Sequence, residues 1–292
     1  MKAPTILCRI CDAEAKKVGT VMGKLERQGF HVHRCPICSF AFVANPLKDY
    51  DKIYSHDYYC GRGADPSVDY LFELEHPEIT IRQYEWRGIL NIISSLTKVD
   101  SETRWLDYGC GNGGLVQYCK KHTKCKIVGF ERGWIRQKAA SKGIPYLDDK
   151  DLEKQQGSFN VVTAIEVLEH IENPLESLKA IRALLKPGGL FFYTTGNALP
   201  FRERLLTWSY VVPEIHISFF EPQTLDYALR KSGFTTEYRG FMPGYIDIVR
   251  FKILKNYGWK KQSFLERILP WTILTRIADK KYRSSAHPIA WA

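Results

Sequence analysis

Between residues 77 and 240, apolar positions recur with two alternating periods. Over 77–97, Trp86, Ile89, Leu90, Ile93 and Leu96 fall on one helical face and Pro77 suits a first-turn position, so the spacing predicts a helix there. Short apolar runs at 103–107, 126–130, 159–165 and 189–195 read as strands, and the amphipathic stretches at 113–121, 133–142, 174–185 and 222–232 read as helices. The punctuation agrees. Asn173-Pro174-Leu175-Glu176 supplies a cap, a first-turn proline and an early acid, which is how helices start. Lys186-Pro187-Gly188-Gly189 ends that helix and turns into the next run, while Pro222 opens the following helix and Gly233 closes it. Alternation of this kind predicts an α/β fold, a doubly wound sheet with helices on both faces.

The flanks break the pattern. Residues 1–44 are short and punctuated by cysteines, and 45–98 hold an irregular connector rich in Tyr, Asp, Gly and Pro followed by the first helix. Residues 99–249 are the expected catalytic domain, and 250–292 form a basic, apolar C-terminal extension that Pro270 interrupts. Apolar residues make up 45% of the chain, enough for a real core. No apolar run approaches the ~18 residues of a membrane span, and the start lacks a secretory pattern, so a cytoplasmic location is expected. The net charge of +10 is uneven. Residues 1–48 carry eight bases against three acids and 240–292 carry ten against three, whereas 49–239 carry 24 against 26. The two ends are therefore the surfaces suited to an anionic partner, and the central domain is not a nucleic-acid-like basic body. Nothing in the pattern fixes an oligomeric state.

Cys8-x-x-Cys11 and Cys35-x-x-Cys38 are 23 residues apart. In a chain of this size without a secretory pattern, paired cysteines point to metal before disulfides. Each C-x-x-C forms a knuckle presenting two thiolates, and two knuckles complete a tetrahedral zinc site with no open position, hence a structural one. Zinc there would contribute ~10–16 kcal/mol, enough to fold a module with little core of its own. Cys60, Cys110, Cys119 and Cys125 show no pairing and are expected as inert buried thiols.

The most informative segment is Trp105-Leu106-Asp107-Tyr108-Gly109-Cys110-Gly111-Asn112-Gly113-Gly114. It follows an apolar run and opens a helix, so its glycines let the backbone turn tightly and approach a ligand closely. Gly109, Gly111 and Gly114 match G-x-G-x-x-G, and Glu131 ends the next strand where an acid binds ribose hydroxyls. Both features suit a dinucleotide or an adenosyl ligand. Asp107, two residues before Gly109, suits a cationic ligand end better than a pyrophosphate.

With Glu166-Val167-Leu168-Glu169-His170 and Leu184-Leu185-Lys186-Pro187-Gly188-Gly189 added in this order, residues 103–240 resemble class I S-adenosylmethionine-dependent methyltransferases. The resemblance implies a Rossmann-like seven-stranded sheet with one antiparallel strand. It also implies that Asp107, Gly109, Gly111 and Gly113 cradle the methionine part, and that Glu131 binds the ribose. Leu147 or Asp148 would border the adenine, and Ala164, Ile165 and Glu166 would line the methionine side. A cysteine module followed by Ile53-Tyr54-Ser55-His56-Asp57-Tyr58-Tyr59 is similar to bacterial enzymes that modify sugars and cell-surface glycans.

Methyl transfer from a sulfonium needs alignment more than covalent help, but a hydroxyl acceptor needs a base. His216 is the first choice, because Pro213–Phe220 follows the fifth strand at the carboxyl edge of the sheet, where ligands bind. Glu214 is the second, and Glu169 with His170 reads as a tie at a helix entry. Residues 196–215 read as a substrate lid. The expected acceptor is a sugar, glycan precursor or other small metabolite, methylated at oxygen. An RNA methyltransferase with a zinc knuckle is the competing reading, and a non-enzymatic zinc scaffold the third. The basic, apolar segment between Arg250 and Arg283 either packs on the catalytic domain or lies against an anionic membrane surface.

Overall fold

The computed structural model describes residues 5–64, 69–239, 241–282 and 288–292. The N-terminal residues build an antiparallel sheet from β1 (Lys16–Met22), β2 (Gly29–Arg34) and β3 (Ala41–Val43). The main sheet holds β4 (Arg104–Tyr108), β5 (Lys126–Phe130), β6 (Tyr146–Leu147), β7 (Phe159–Ile165) and β8 (Leu185–Thr194). After β8, β9 (Ser218–Phe219) leaves the main sheet and pairs with β3, and β10 (Thr235–Tyr238) and β11 (Pro288–Trp291) complete the main one. Its order is β10-β11-β8-β7-β4-β5-β6, seven strands as expected. β4 to β8 run parallel, and β11 is antiparallel to both of its neighbours.

The strands are buried on both faces because their side chains alternate between two cores. Trp105, Val161 and Leu190 point to one, with Ile89 and Ile93 of helix Arg82–Leu96. Leu106, Val162 and Phe191 point to the other, against Leu178, Ile181 and Leu225 of the helices Pro174–Leu184 and Pro222–Lys231. Three short helices, Tyr50–Ile53, His56–Tyr59 and Tyr70–Glu75, occupy the expected connector, and the helix expected from near Pro77 begins at Arg82. Ile79 and Thr80 instead close a turn on the His76 carbonyl, and Thr80 bridges to Lys261.

Two features lie outside the expected layout. The N-terminal module is no separate body: Phe40, Phe42, Cys8 and Cys35 belong to the same core as Leu106 and Phe191, and the Phe40 and Phe220 rings sit 5.1 Å apart. The segment expected as an extension from residue 250 contains β11, an inner strand of the sheet. Residues 241–282 therefore form a helical insertion between β10 and β11. Helix Gly244–Asn256 of this insertion packs closely on helix Arg82–Leu96, where a Cβ on Gly88 would come within 2.5 Å of the Gly244 carbonyl. Among the described residues no helix is long and apolar enough to cross a membrane.

Candidate active site

The glycine loop sits where β4 ends. Gly109, Gly111 and Gly113 all adopt left-handed backbone, with φ of 72°, 53° and 71°, which side chains with a Cβ rarely take. The loop thereby turns at once into helix Gly114–His122. Glu131, at the end of β5, ties it down: one carboxylate oxygen accepts from the Gly111 N–H at 2.9 Å and the other from the Gly133 N–H at 2.6 Å. Asp107 is buried behind the loop and accepts from the Thr163 hydroxyl at 2.7 Å. Burial pushes its carboxyl up to about 7 against the Thr163 hydrogen bond, with the Glu131 charge adding to the rise.

A cavity of about 1450 Å³ opens in front of this loop. Its walls include Asp107, Gly109, Gly111, Glu131, Ile165 and Glu166 among the expected residues. Gly113 caps the helix behind the wall, and Ala164 is buried in the sheet. Leu147 and Asp148 do not line the cavity. Asp148 instead caps helix Asp149–Glu153 by accepting from the Asp151 N–H at 2.7 Å. Beyond Glu131 the wall includes Arg132, Gly133 and Trp134. No motif pointed to Trp134; its nearness to Glu131 was the only available signal.

At the far side of the cavity, β7 runs out into Glu166, a non-glycine residue with φ of 55°, a strained backbone kept in place by its surroundings. Burial would push the Glu166 carboxyl up, but the Lys252 ammonium, 2.8 Å away, prevails and holds it at about 2. Glu169 has the opposite fate: burial and the Glu166 charge push it up to about 8. Its oxygens accept from Tyr210 Oη at 2.6 Å and Thr195 Oγ1 at 2.8 Å.

His216 lies beside this carboxyl. Its ring stacks on Tyr210 at 4.1 Å and meets His170 at 5.0 Å, and ligand-type atoms of Glu169, His170 and His216 all fall within 4.8 Å of one another. Nδ1 of His216 is 2.7 Å from the Tyr210 carbonyl. A carbonyl only accepts, so Nδ1 carries the hydrogen and Nε2 is the ring's accepting nitrogen. Glu169 and His170, expected as a helix tie, thus face the cavity beside His216. Their signal was present in the Glu166–His170 run, which continues past the strand's carboxyl end. Glu214 is elsewhere: it is buried against the N-terminal module and accepts from the Leu25 N–H at 2.7 Å. Its carboxylate caps a loop, so the second catalytic choice is corrected to a packing and capping role.

The N-terminal module holds the segment that carries His216. The Val43 N–H donates to the Ile217 carbonyl at 2.9 Å, β3 pairs with β9, and the Thr224 hydroxyl donates to the Cys38 carbonyl at 2.7 Å. Arg34 donates to the Arg202 carbonyl, and the Arg202–Glu221 ion pair locks the other end of the expected lid. Within the lid, Phe201, Trp208 and Tyr210 stack in series at 4.9 and 4.7 Å. The module itself gathers Cys8, Cys11, Cys35 and Cys38 so that the four sulfurs lie within 4.8 Å of one another. Cys8 and Cys38 are 3.5 Å apart and Cys11 and Cys35 3.3 Å, near the ~3.8 Å edge of a zinc–sulfur tetrahedron. The Ile10 and Ile37 N–H groups point at the Cys8 and Cys35 sulfurs, each at 3.4 Å, as anionic thiolates require. This donor set fits a zinc ion. Of the other cysteines, Cys119 and Cys125 are buried as expected, whereas Cys60 and Cys110 are only partly so.

Residues 79–238 match the family model described as a methyltransferase domain. The ubiquinone biosynthesis O-methyltransferase of Acinetobacter baumannii is 26% identical over 149 residues, covering 44% of this chain and 62% of that protein. The enzyme of the same description from Pseudomonas aeruginosa is 30% identical over 105 residues, covering 32% of this chain and 45% of that protein. The chain thus spans less than two thirds of the length of these curated relatives. A solved S-adenosylmethionine-dependent methyltransferase from Mesorhizobium loti aligns with a TM-score of 0.47 and 17% identity, covering 70% of this chain and 96% of that one. The family match takes in more than half of the chain, including the glycine loop, Glu131 and most of the wall of the cavity they face. The chain belongs to the methyltransferase-domain family.

Proposed function

We propose that the enzyme methylates a hydroxyl of a small-molecule acceptor, a sugar or cell-surface glycan precursor, in the cytoplasm at the inner face of the membrane. The observation that carries this reading is the single cavity joining the glycine loop to His216. S-adenosylmethionine supplies a methyl group on a sulfonium, an already activated leaving group. Asp107 holds the ammonium of the methionine part, Gly109 and Gly111 let the backbone close on it, and Gly113 starts the helix behind them. Glu131 takes the ribose hydroxyls and Trp134 stands beside the adenine. Ile165 and Glu166 form the methionine-side wall, with Ala164 behind it.

Nε2 of His216 takes the proton of the acceptor hydroxyl, and the Tyr210 ring and the carbonyl below it fix the imidazole plane. Methylation at oxygen agrees with the two curated relatives, both ubiquinone biosynthesis O-methyltransferases. The cavity wall past His170 carries Asn173 and Glu176, which suit hydroxyl donors, and Glu172, which is paired with Arg9 and Lys48. The four cysteines hold one structural zinc. A radiolabelled methyl assay with sugar nucleotides, glycan precursors and total RNA tests the reading, which falls if RNA takes the label and the small molecules do not.

Two consequences concern the donor site. Glu131→Ala is expected to weaken S-adenosylmethionine binding by about 1.5–3 kcal/mol, since a charge-assisted acceptor is lost and the Gly111 N–H with it. Calorimetry showing unchanged affinity would remove Glu131 from the site. The second concerns pH. The cationic ligand favours ionised Asp107, so binding expels the proton that burial retains up to about 7. Affinity should therefore rise with pH and level off above about 7, and Asp107→Asn should flatten that profile. In the free enzyme the sign is reversed. A carboxyl raised by folding contributes stability below its unfolded pKa of about 4, and this is lost as pH rises through about 7. A flat affinity profile in the unsubstituted enzyme would count against Asp107 as the ammonium ligand.

A further inference from the structure

The helical insertion is fastened on one side and bare on the other. Glu266, fully buried, accepts from Tyr84 Oη at 2.5 Å and from Arg250 Nε at 2.9 Å, and its carbonyl accepts from Trp271 Nε1 at 2.6 Å. Trp271 packs with Tyr84, Phe251 and Leu254. This node fixes helices Phe264–Arg267 and Trp271–Tyr282 against the body of the protein. Away from it, Phe264, Leu265, Ile268, Leu269, Ile273 and Ile277 are exposed, Phe264 by 77% and Ile277 by 61%. Ile273 and Ile277 are one helical turn apart and share a face. Scattered exposed apolar side chains are ordinary, but six large ones within 14 residues on a fixed scaffold mark a surface that meets something. The charges state what it meets. Between residues 261 and 281 the exposed charged side chains are Lys261, Arg267, Arg276, Lys280 and Lys281. The two acids in that stretch are Glu266, buried in the node, and Asp279, half-buried. Arg283 lies outside the described residues.

We infer that this face docks on an anionic lipid bilayer, with the apolar side chains at the boundary of headgroups and acyl chains and the cations against lipid phosphates. A second copy of the chain is the weaker occupant, because a two-fold contact would set this all-positive rim against itself. The docking face also adjoins the reaction centre. Helix Gly244–Asn256 packs against helix Trp271–Tyr282, pairs Lys252 with Glu166 and places Lys255 in the cavity wall. The inference deepens the proposed membrane-face setting and stands whatever the acceptor proves to be.

Co-sedimentation of the full-length protein with vesicles tests it without any turnover assay. The protein should pellet with phosphatidylcholine–phosphatidylglycerol vesicles at low salt, stay in solution with phosphatidylcholine alone, and be released as salt is raised. Ile273→Glu with Ile277→Glu should lower the bound fraction roughly tenfold or more, and Arg276→Glu with Lys280→Glu should do the same. S-adenosylmethionine affinity should be unchanged in both variants, which shows that they fold and keeps this test separate from the donor-site reading. No binding to anionic vesicles at low salt would overturn the inference, as would equal binding by the Ile→Glu variant. A concentration-dependent dimer in sedimentation velocity, dissolved by the same substitutions in a protein that ignores vesicles, would assign the face to self-association instead.

Discussion

Stripping zinc from the N-terminal module, by chelation or by Cys35→Ser, is expected to abolish methyl transfer while disturbing S-adenosylmethionine binding far less. Besides strand pairing and the core it shares with the main sheet, the four-cysteine module would be held by the proposed metal, whose contribution of ~10–16 kcal/mol exceeds the whole stability of many domains. What the metal holds is the hairpin ending in β3, and β3 is the edge on which β9 and the Ile217 carbonyl are hung. His216 is one residue from that edge. Releasing it frees the His216 ring from Tyr210 and unseats the lid that Arg34 anchors through the Arg202 carbonyl. The glycine loop and Glu131 belong instead to the ends of β4 and β5, which keep their own pairing. Elemental analysis should find one zinc per chain and none in Cys35→Ser. Hydrogen exchange at the Val43 and Ile217 amides should accelerate on chelation. A Cys35→Ser protein that keeps its zinc would refute the four-cysteine site, and a zinc-free protein with full turnover would refute the coupling to His216.

The second large effect is expected at His216 itself. His216→Ala should lower turnover by roughly 10²–10⁴-fold, the usual worth of a positioned base, with donor affinity nearly unchanged. The geometry adds a control. Glu169, pushed up to about 8 by burial and the Glu166 charge, stands in the same cluster and retains a proton near neutral pH. Glu169→Gln keeps an acceptor for one of the Tyr210 and Thr195 hydroxyls, offers an N–H to the oxygen of the other, and should cost less than His216→Ala. A larger loss in Glu169→Gln would transfer the proton to the carboxyl, and near-normal turnover in His216→Ala would leave the histidine as packing.

How much of this was legible in advance depended on how local each determinant is. The strands over 104–108, 126–130 and 159–165 and the helices opened by Asn173-Pro174 and Pro222 follow from side-chain period and capping within a few residues. The glycine loop is equally local, since only glycine adopts φ values of 53–72° freely, and so are the C-x-x-C knuckles. The rest depends on partners far away along the chain. Leu147 and Asp148 do not line the cavity: the Asp148 side chain caps the next helix, while Trp134 is in the wall. Glu214 was a plausible base until its carboxylate met the Leu25 amide, 189 residues away. Glu169 and His170 became neighbours of His216 only when the segment after β8 folded back over the end of β7. Residues 288–291 carry too short an apolar pattern to announce a strand, and only the gap between β8 and β10 gives them one to fill. Periodicity and turn chemistry act over a handful of residues and are written in the chain itself. A buried hydrogen-bond acceptor or an unfilled sheet position is satisfied by whatever group the completed fold brings near, and that choice belongs to the tertiary structure.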